Sequence, residues 1–205
     1  MKKSVIAVFA LGLMLLASGA SAANTIGLFG DVDGTLCSAD FPLYQTTNVH
    51  VVVILDMIDT TGITAAEFLI GGVEFTPADA IVSAAWNSPL TIGDPLGPDG
   101  FSIAFTDCTP GPIVPLGMIS FFVINAAGWP AANTTWCVVP TNDSGNLAVV
   151  DCNYVTVPAD GWCFIANCTD GPCDCGVASE ETTWGAVKAL YYDLCLKLRF
   201  SAERA

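Results

Sequence analysis

Basic side chains are what this chain most conspicuously lacks. Between Ser4 and Val187 there is neither lysine nor arginine, and the six in the sequence are Lys2, Lys3, Lys188, Lys197, Arg199 and Arg204. Such a body has nothing with which to neutralise phosphates, which excludes nucleic acid as a partner. It also forms no internal ion pairs with lysine or arginine. The 16 carboxylates between Asn24 and Ser179 must therefore be solvated, hydrogen-bonded or bound to cations. Histidine is nearly absent: His50 is the only one, inside the apolar run Val49 to Leu55, where a half-buried strand position is expected rather than the base of a triad. No G-x-S-x-G elbow occurs. The body's only glutamates, Glu67 and Glu74, would point to opposite faces of one regular strand, unlike the facing carboxylates of a glycoside hydrolase. A hydrolase built on two aspartates is the catalytic alternative left.

Long apolar runs are missing as well. The one candidate, Val5 to Ala17, is too short for a membrane-spanning helix, which needs about 20 residues. It follows Lys2 and Lys3 and precedes Ser18-Gly19-Ala20-Ser21-Ala22, the pattern of a secretory signal peptide with an A-x-A site, cleaved near Ala22. Three segments are expected: 1–22 as signal peptide, 23–179 as the folded domain with a cysteine-rich C-terminal loop, and 180–205 as a helical tail. The mature chain is expected to have no transmembrane segment and to be secreted, periplasmic or held in the cell envelope.

What is abundant is cysteine and β-forming sequence. Nine cysteines stand at 37, 108, 137, 152, 163, 168, 173, 175 and 195, and export places them where disulfides persist. Cys37, Cys108, Cys137, Cys152, Cys163, Cys168, Cys173 and Cys175 are the expected bridge partners and Cys195 the one left over, with roughly a hundred connectivities open. Cys137 and Cys152 flank a candidate hairpin turning at Ser144-Gly145, which would set them opposite one another, within bridging reach. The crowded run from Cys163 to Cys175 offers thiolates for zinc or an iron-sulfur centre, but its spacing is no repeated C-x-x-C and a disulfide knot is the expectation.

Short runs rich in Val, Ile, Phe and Thr alternate with Gly, Pro, Asn and Asp, predicting an all-β antiparallel sandwich, cohesin-like or Ig-like, with disulfides and a short C-terminal helix. Strands are expected at Thr25 to Phe29, Val49 to Leu55, Ala65 to Ile70, Val73 to Phe75, Ala80 to Ala85, Phe101 to Phe105, Pro115 to Asn125, Thr135 to Val139, Leu147 to Asp151, Tyr154 to Val157 and Trp162 to Ala166. Turns are expected at Asp59 to Gly62, Pro98 to Gly100, Asp143 to Asn146 and Asp160-Gly161. In the tail, Thr183 can cap a helix that sets Trp184, Val187, Leu190, Tyr191, Leu194 and Leu198 on one side.

Two motifs suggest sites. Asp31-Val32-Asp33-Gly34-Thr35-Leu36 resembles the nucleophile motif of haloacid-dehalogenase-type phosphatases, but the first lysine after it is Lys188, with only Asp193 and Glu203 beyond, and the βα alternation that family needs is absent, so a polar turn is expected. Asp31 and Asp33, joined by Asp40, otherwise offer clustered oxygens to calcium; no other cofactor is expected. Trp86, Trp129 and Trp162, with Trp136, are candidates for stacking on sugar rings.

The run from Val49 to Asn125 resembles a cohesin-type sandwich. The likeness rests on Val49-Val51-Val53-Leu55, on Gly62-Ile63-Thr64-Ala65-Ala66-Glu67-Phe68 and on Gly117-Met118-Ile119-Ser120-Phe121-Phe122-Val123. It departs from that family in its cysteines. The resemblance implies a non-catalytic sandwich that binds a protein or glycan at the cell surface. The expected function is therefore an exported binding or adhesion module, with a structural envelope protein as the alternative.

Overall fold

The computed structural model describes residues 24–56, 60–125, 127–169 and 173. The leader expected at 1–22, the tail helix expected at 180–205, Cys175 and Cys195 lie outside the described residues. Every regular element described is a strand: β1 (Asn24–Phe29), β2 (Ser38–Ala39), β3 (Thr46–Ile54), β4 (Gly62–Gly71), β5 (Ala80–Trp86), β6 (Leu90–Asp94), β7 (Gly100–Pro110), β8 (Ile113–Val123), β9 (Thr134–Val139), β10 (Ala148–Asp151), β11 (Thr156–Gly161) and β12 (Cys163–Ala166).

The strands form two layers joined along one side. One layer runs β11-β1-β3-β8-β5 and the other β11-β10-β4-β7-β6. β11 belongs to both, parallel to β1 and antiparallel to β10. Among the described residues the opposite side stays open, because there β5 pairs only with β8 and β6 only with β7. A third patch, β9 with β12 and β2, extends from the far end of β4. The expected antiparallel sandwich is thus a mixed one, with parallel pairs at β1–β11 and β2–β12.

Period-two alternation builds the core. On β3, Val49, Val51 and Val53 point inward and are 0–1% exposed, and on β8 the inward set is Leu116, Ile119, Phe121 and Val123. β4 directs Ile63, Ala66, Phe68 and Ile70 inward. That sequence breaks strict alternation, and a bulge between Ile63 and Ala65 against β7 restores it. Trp136 sits at the centre, 1% exposed, with the rings of Phe41, Phe121 and Phe164 at 5.1, 5.2 and 5.8 Å.

Three expectations are corrected. Val73 to Phe75 is not a strand but part of the connection from β4 to β5, since Gly72 takes φ +85 and turns the chain away from the sheet. Asp160-Gly161 is not a turn but the end of β11, in register with Thr25 and Ile26. The Cys137–Cys152 hairpin does not exist either. β9 and β10 run end to end along one edge of β4, Val139 opposite Leu69 and Ala148 opposite Glu67, and residues 140–147 are an excursion between them. Cys137 faces Gly71 while Asp151, beside Cys152, faces Ile63, about 26 Å away along an extended strand. The bridges are instead Cys137–Cys163, between directly opposed residues of β9 and β12, and Cys108–Cys152, which spans β4 from β7 to the end of β10. A third joins Cys168 to Cys173, and Cys37 is disulfide-bonded too.

The crossing of β11 over β9 gives the first prediction. A Cβ on Gly161 would lie 1.9 Å from the carbonyl oxygen of Val138, backbone that cannot step aside. Gly161→Ala should lower stability by at least about 1–3 kcal/mol, read as a fall in the urea midpoint. An unchanged midpoint would contradict this crossing.

Candidate functional site

Register decides which side chains share the outer face of the β11-β10-β4-β7-β6 layer. Ile103 and Phe101 on β7 are core residues, so their partners Thr91, Gly93, Ala66 and Phe68 lie on the inner side. The outer side then carries two rows across five strands. One is Leu90, Ala104, Ala65, Val150, Thr156, and the other Ile92, Ser102, Glu67, Ala148, Pro158. At strand spacing the face is about 19 Å across. Its middle is flat because the residues there are Ala and Ser, and its edge is apolar, with Leu90 53% and Ile92 79% exposed.

The rim is fixed by carboxylates acting as acceptors. Glu67 accepts hydrogen bonds from Thr141 Oγ1 at 3.2 Å and from Ser144 Oγ, anchoring the 140–147 excursion along one border. Asp151 accepts from the backbone N–H of Asn153 and of Val155, both at 2.8 Å, and so shapes the turn that presents Tyr154, 82% exposed. A bare apolar face framed by polar residues is the kind of surface that takes a protein partner, and exposed Tyr is a common anchor. The other layer's outer face differs. It shows His50, Asn48 and Ser120, with Ser120 Oγ donating to Asn48 Oδ1 at 2.9 Å. It is partly covered by a small second core of Phe29, Cys37, Val52, Ile54 and Trp162.

At the open side the layers splay apart, leaving a cleft of about 470 Å³ walled by Phe75, Pro77, β5 residues 80–84, Asp94 to Leu96 and Ile119. A smaller hollow of about 240 Å³ lies across the 72–77 ridge, against Glu74, Trp129 and Pro130.

The expected site residues are placed as follows. Asp31 holds its own turn: its carboxylate accepts from the N–H of Thr35 at 2.8 Å, the N–H of Leu36 at 2.9 Å and Thr35 Oγ1. That turn leads into Cys37 of the second core, which gives the aspartate a structural task. Asp33 and Asp40 are exposed, and among the described residues no group of three or more His, Cys, Asp or Glu converges on a metal position. Trp86 lies tilted on Phe101 at 4.3 Å. Trp129 joins the central ring cluster and donates from Nε1 to the Glu74 carbonyl at 2.8 Å. Trp162 packs on the second core, its Nε1 against Cys37 Sγ at 3.1 Å. All three are half-buried, and none lies on the flat face. Leu90 and Ile92 were not among the expected site residues; their signal was a short apolar alternation, Leu90-Thr91-Ile92, between Pro89 and Asp94-Pro95.

Three aspartates ionise below their ordinary value. For Asp31, partial burial works upward and is outweighed by hydrogen bonds from the Thr35 side chain and from the backbone of Leu36 and Thr35. For Asp79 the cause is Thr76 and Asn125, and for Asp151 chiefly the Val155 N–H. A folded pKa below the unfolded one stabilises above the unfolded value of 3.8 and ceases to do so as pH falls through the folded value. Asp31→Asn keeps one acceptor oxygen but loses the charge these bonds favour, and should therefore unfold more readily than wild type near neutral pH. The difference should shrink steadily below pH 3.8. A gap constant down to strong acid would show that the carboxylate charge is not what holds the turn.

No protein-family model matches the chain, and a search of curated proteins returns no match. Among solved structures the chain is similar to cohesin modules, the family that its Val49 to Asn125 run resembles. One is the cohesin module of a family 33 glycoside hydrolase from Clostridium perfringens, at 9% identity and TM-score 0.43 over 72% of this chain and 98% of that one. Another is the sixth cohesin of scaffoldin B from Acetivibrio cellulolyticus, solved in complex with a Cel5 dockerin, at 13% identity and TM-score 0.45 over 72% and 100%. A third is the seventh ScaB type I cohesin from Pseudobacteroides cellulosolvens, at 12% identity and TM-score 0.41 over 73% and 96%. The likeness is one of strand arrangement and says nothing of what this chain binds.

Proposed function

We propose that this chain is a non-catalytic binding module working outside the cytoplasm, and that its flat outer face takes a protein partner bearing lysine or arginine. The observation that carries this reading is the exposure of Leu90 and Ile92 beside a floor of Ala65, Ser102 and Ala104. Charge complementarity supports the chemistry of the partner. Glu67 and Asp94 project from the same side of the sheet, and no cation of this body competes for them, since none occurs between Ser4 and Val187. The disulfides among the described cysteines and the leader-like start support a place in an oxidising compartment. A glycan partner has less support, because Trp86, Trp129 and Trp162 spend their faces on packing.

The test compares wild type with the double variant Leu90→Asp, Ile92→Asp as immobilised bait for the envelope and medium fractions of the source culture. A protein held by wild type should lose at least about a hundredfold in affinity for the variant, the size expected at an interface hot spot. Equal retention by both would move the site off this face. Thermal unfolding with millimolar calcium and again with chelator addresses Asp31, Asp33 and Asp40, because an ion bound to the native state raises the midpoint.

A further inference from the structure

The open side of the sandwich is an unfinished core. Val82 and Ala84 of β5 sit opposite Phe121 and Ile119, both core residues, and so face inward. Yet Ala84 is exposed and Val82 only half-buried, because no strand of the described chain lies beyond them. β5 presents a seven-residue edge whose outward N–H and C=O groups have no strand partner among the described residues. Free edges of that kind recruit a further strand. The cleft beside this edge is apolar, with Asp94 on its wall.

We infer that the strand completing this side is the chain's own segment Leu194 to Phe200, extended in place of the end of the expected tail helix and added along the free edge of β5 in the same molecule. Three observations lead there. Leu194-Cys195-Leu196-Lys197-Leu198-Arg199-Phe200 alternates apolar and polar residues for seven positions, matching β5 in length and setting one apolar side toward the cleft. It carries Lys197 and Arg199, two of the four basic residues that follow Val187, and a body without cations offers them carboxylates. The tail is also long enough to come round to this edge. Asn167 Nδ2 donates to the Pro130 carbonyl at 2.7 Å, and the Thr169 N–H to Asn133 Oδ1 at 2.9 Å. The chain then turns back, and the carbonyl of Cys173, its last described residue, accepts from Ser38 Oγ at 3.2 Å, beside β12. From Cys173 the residues up to 194, at up to about 3.3 Å each, can span a domain of this size. A second copy is a poorer occupant, because two bodies with no basic residue between Ser4 and Val187 repel one another. The inference shares only Asp94 with the flat face, and its test touches neither Leu90 nor Ile92.

The test is amide hydrogen exchange of β5 in the full chain, measured for wild type, for Leu196→Asp, Leu198→Asp, and for Val187→Asp, Leu190→Asp. The last pair would disrupt a helical tail but not this strand. Near-UV circular dichroism checks that each variant keeps its folded core. Alternate amides within Ala80 to Trp86 should exchange at least about tenfold faster in the Leu196, Leu198 variant than in the other two proteins, at a rate independent of protein concentration. Equal exchange in all three overturns the inference. So does protection lost equally in the Val187, Leu190 variant, which would assign the contact to a helix. Protection that grows with concentration overturns it in favour of pairing between copies.

Discussion

Trp136→Ala is expected to cost about 3–5 kcal/mol, the range for removing a large ring from a packed core. For a domain of this size that means a fall of roughly 10 °C in the thermal midpoint. Trp136 is 1% exposed and touches rings from three other parts of the chain, Phe41, Phe121 and Phe164. These residues belong to the connection after β2, to β8 and to β12, so the indole joins the sandwich to the outlying β9-β12-β2 patch. Collapse into the space it leaves would require all three to move together. Trp162→Ala, removing the same ring from a half-buried site over the small second core, should cost distinctly less. Equal losses would mean that the two clusters do not differ in the way their burial implies.

The second large effect concerns the bridges. Cys108 and Cys152 are 44 residues apart and Cys168 and Cys173 are five apart. Closing the longer loop restricts the unfolded chain more, by about 4 kcal/mol against about 2 for the short one. Cys108→Ala, Cys152→Ala should therefore lower the denaturation midpoint about twice as far as Cys168→Ala, Cys173→Ala. The long bridge also packs over Gly62, whose Cβ would lie 2.9 Å from Cys152 Sγ, so its loss leaves a gap against β4 as well. A reversed order would show that strain or residual structure in the unfolded chain dominates.

Strands built on β-branched alternation could be read from the sequence because the code for them is local: Val49, Val51 and Val53 say which side is buried without reference to anything else. β6 escaped notice because Leu90-Thr91-Ile92-Gly93-Asp94 is short and ends in turn-forming residues. Asp160-Gly161 misled for the opposite reason, a turn-like pair whose glycine is needed where β11 crosses the Val138 carbonyl, from which a Cβ would lie only 1.9 Å. Ser144-Gly145 does bend the chain, and Gly145 has φ +72, but what the bend closes is an excursion between two collinear strands. That fact depends on where β9 and β10 lie along β4, a non-local register with no trace in the intervening residues. Bridge connectivity was hidden for the same reason. The flat face was hidden because its floor is made by Ala65, Ser102 and Ala104, residues that announce nothing individually and become a surface only when β4 and β7 align them. The tryptophans drew attention by type, and packing has claimed them.

The most direct measurement places a photo-crosslinking side chain at Ser102, in the middle of the flat face, and in a separate protein at Met118, on the outer side of the opposite layer. Each is irradiated with the envelope and medium fractions of the source culture. A discrete protein adduct from position 102, absent from position 118 and abolished by Leu90→Asp, Ile92→Asp, is the expected result. Adducts from position 118 alone, or none from position 102 while the unlabelled protein still captures a partner, would contradict the assignment of this face.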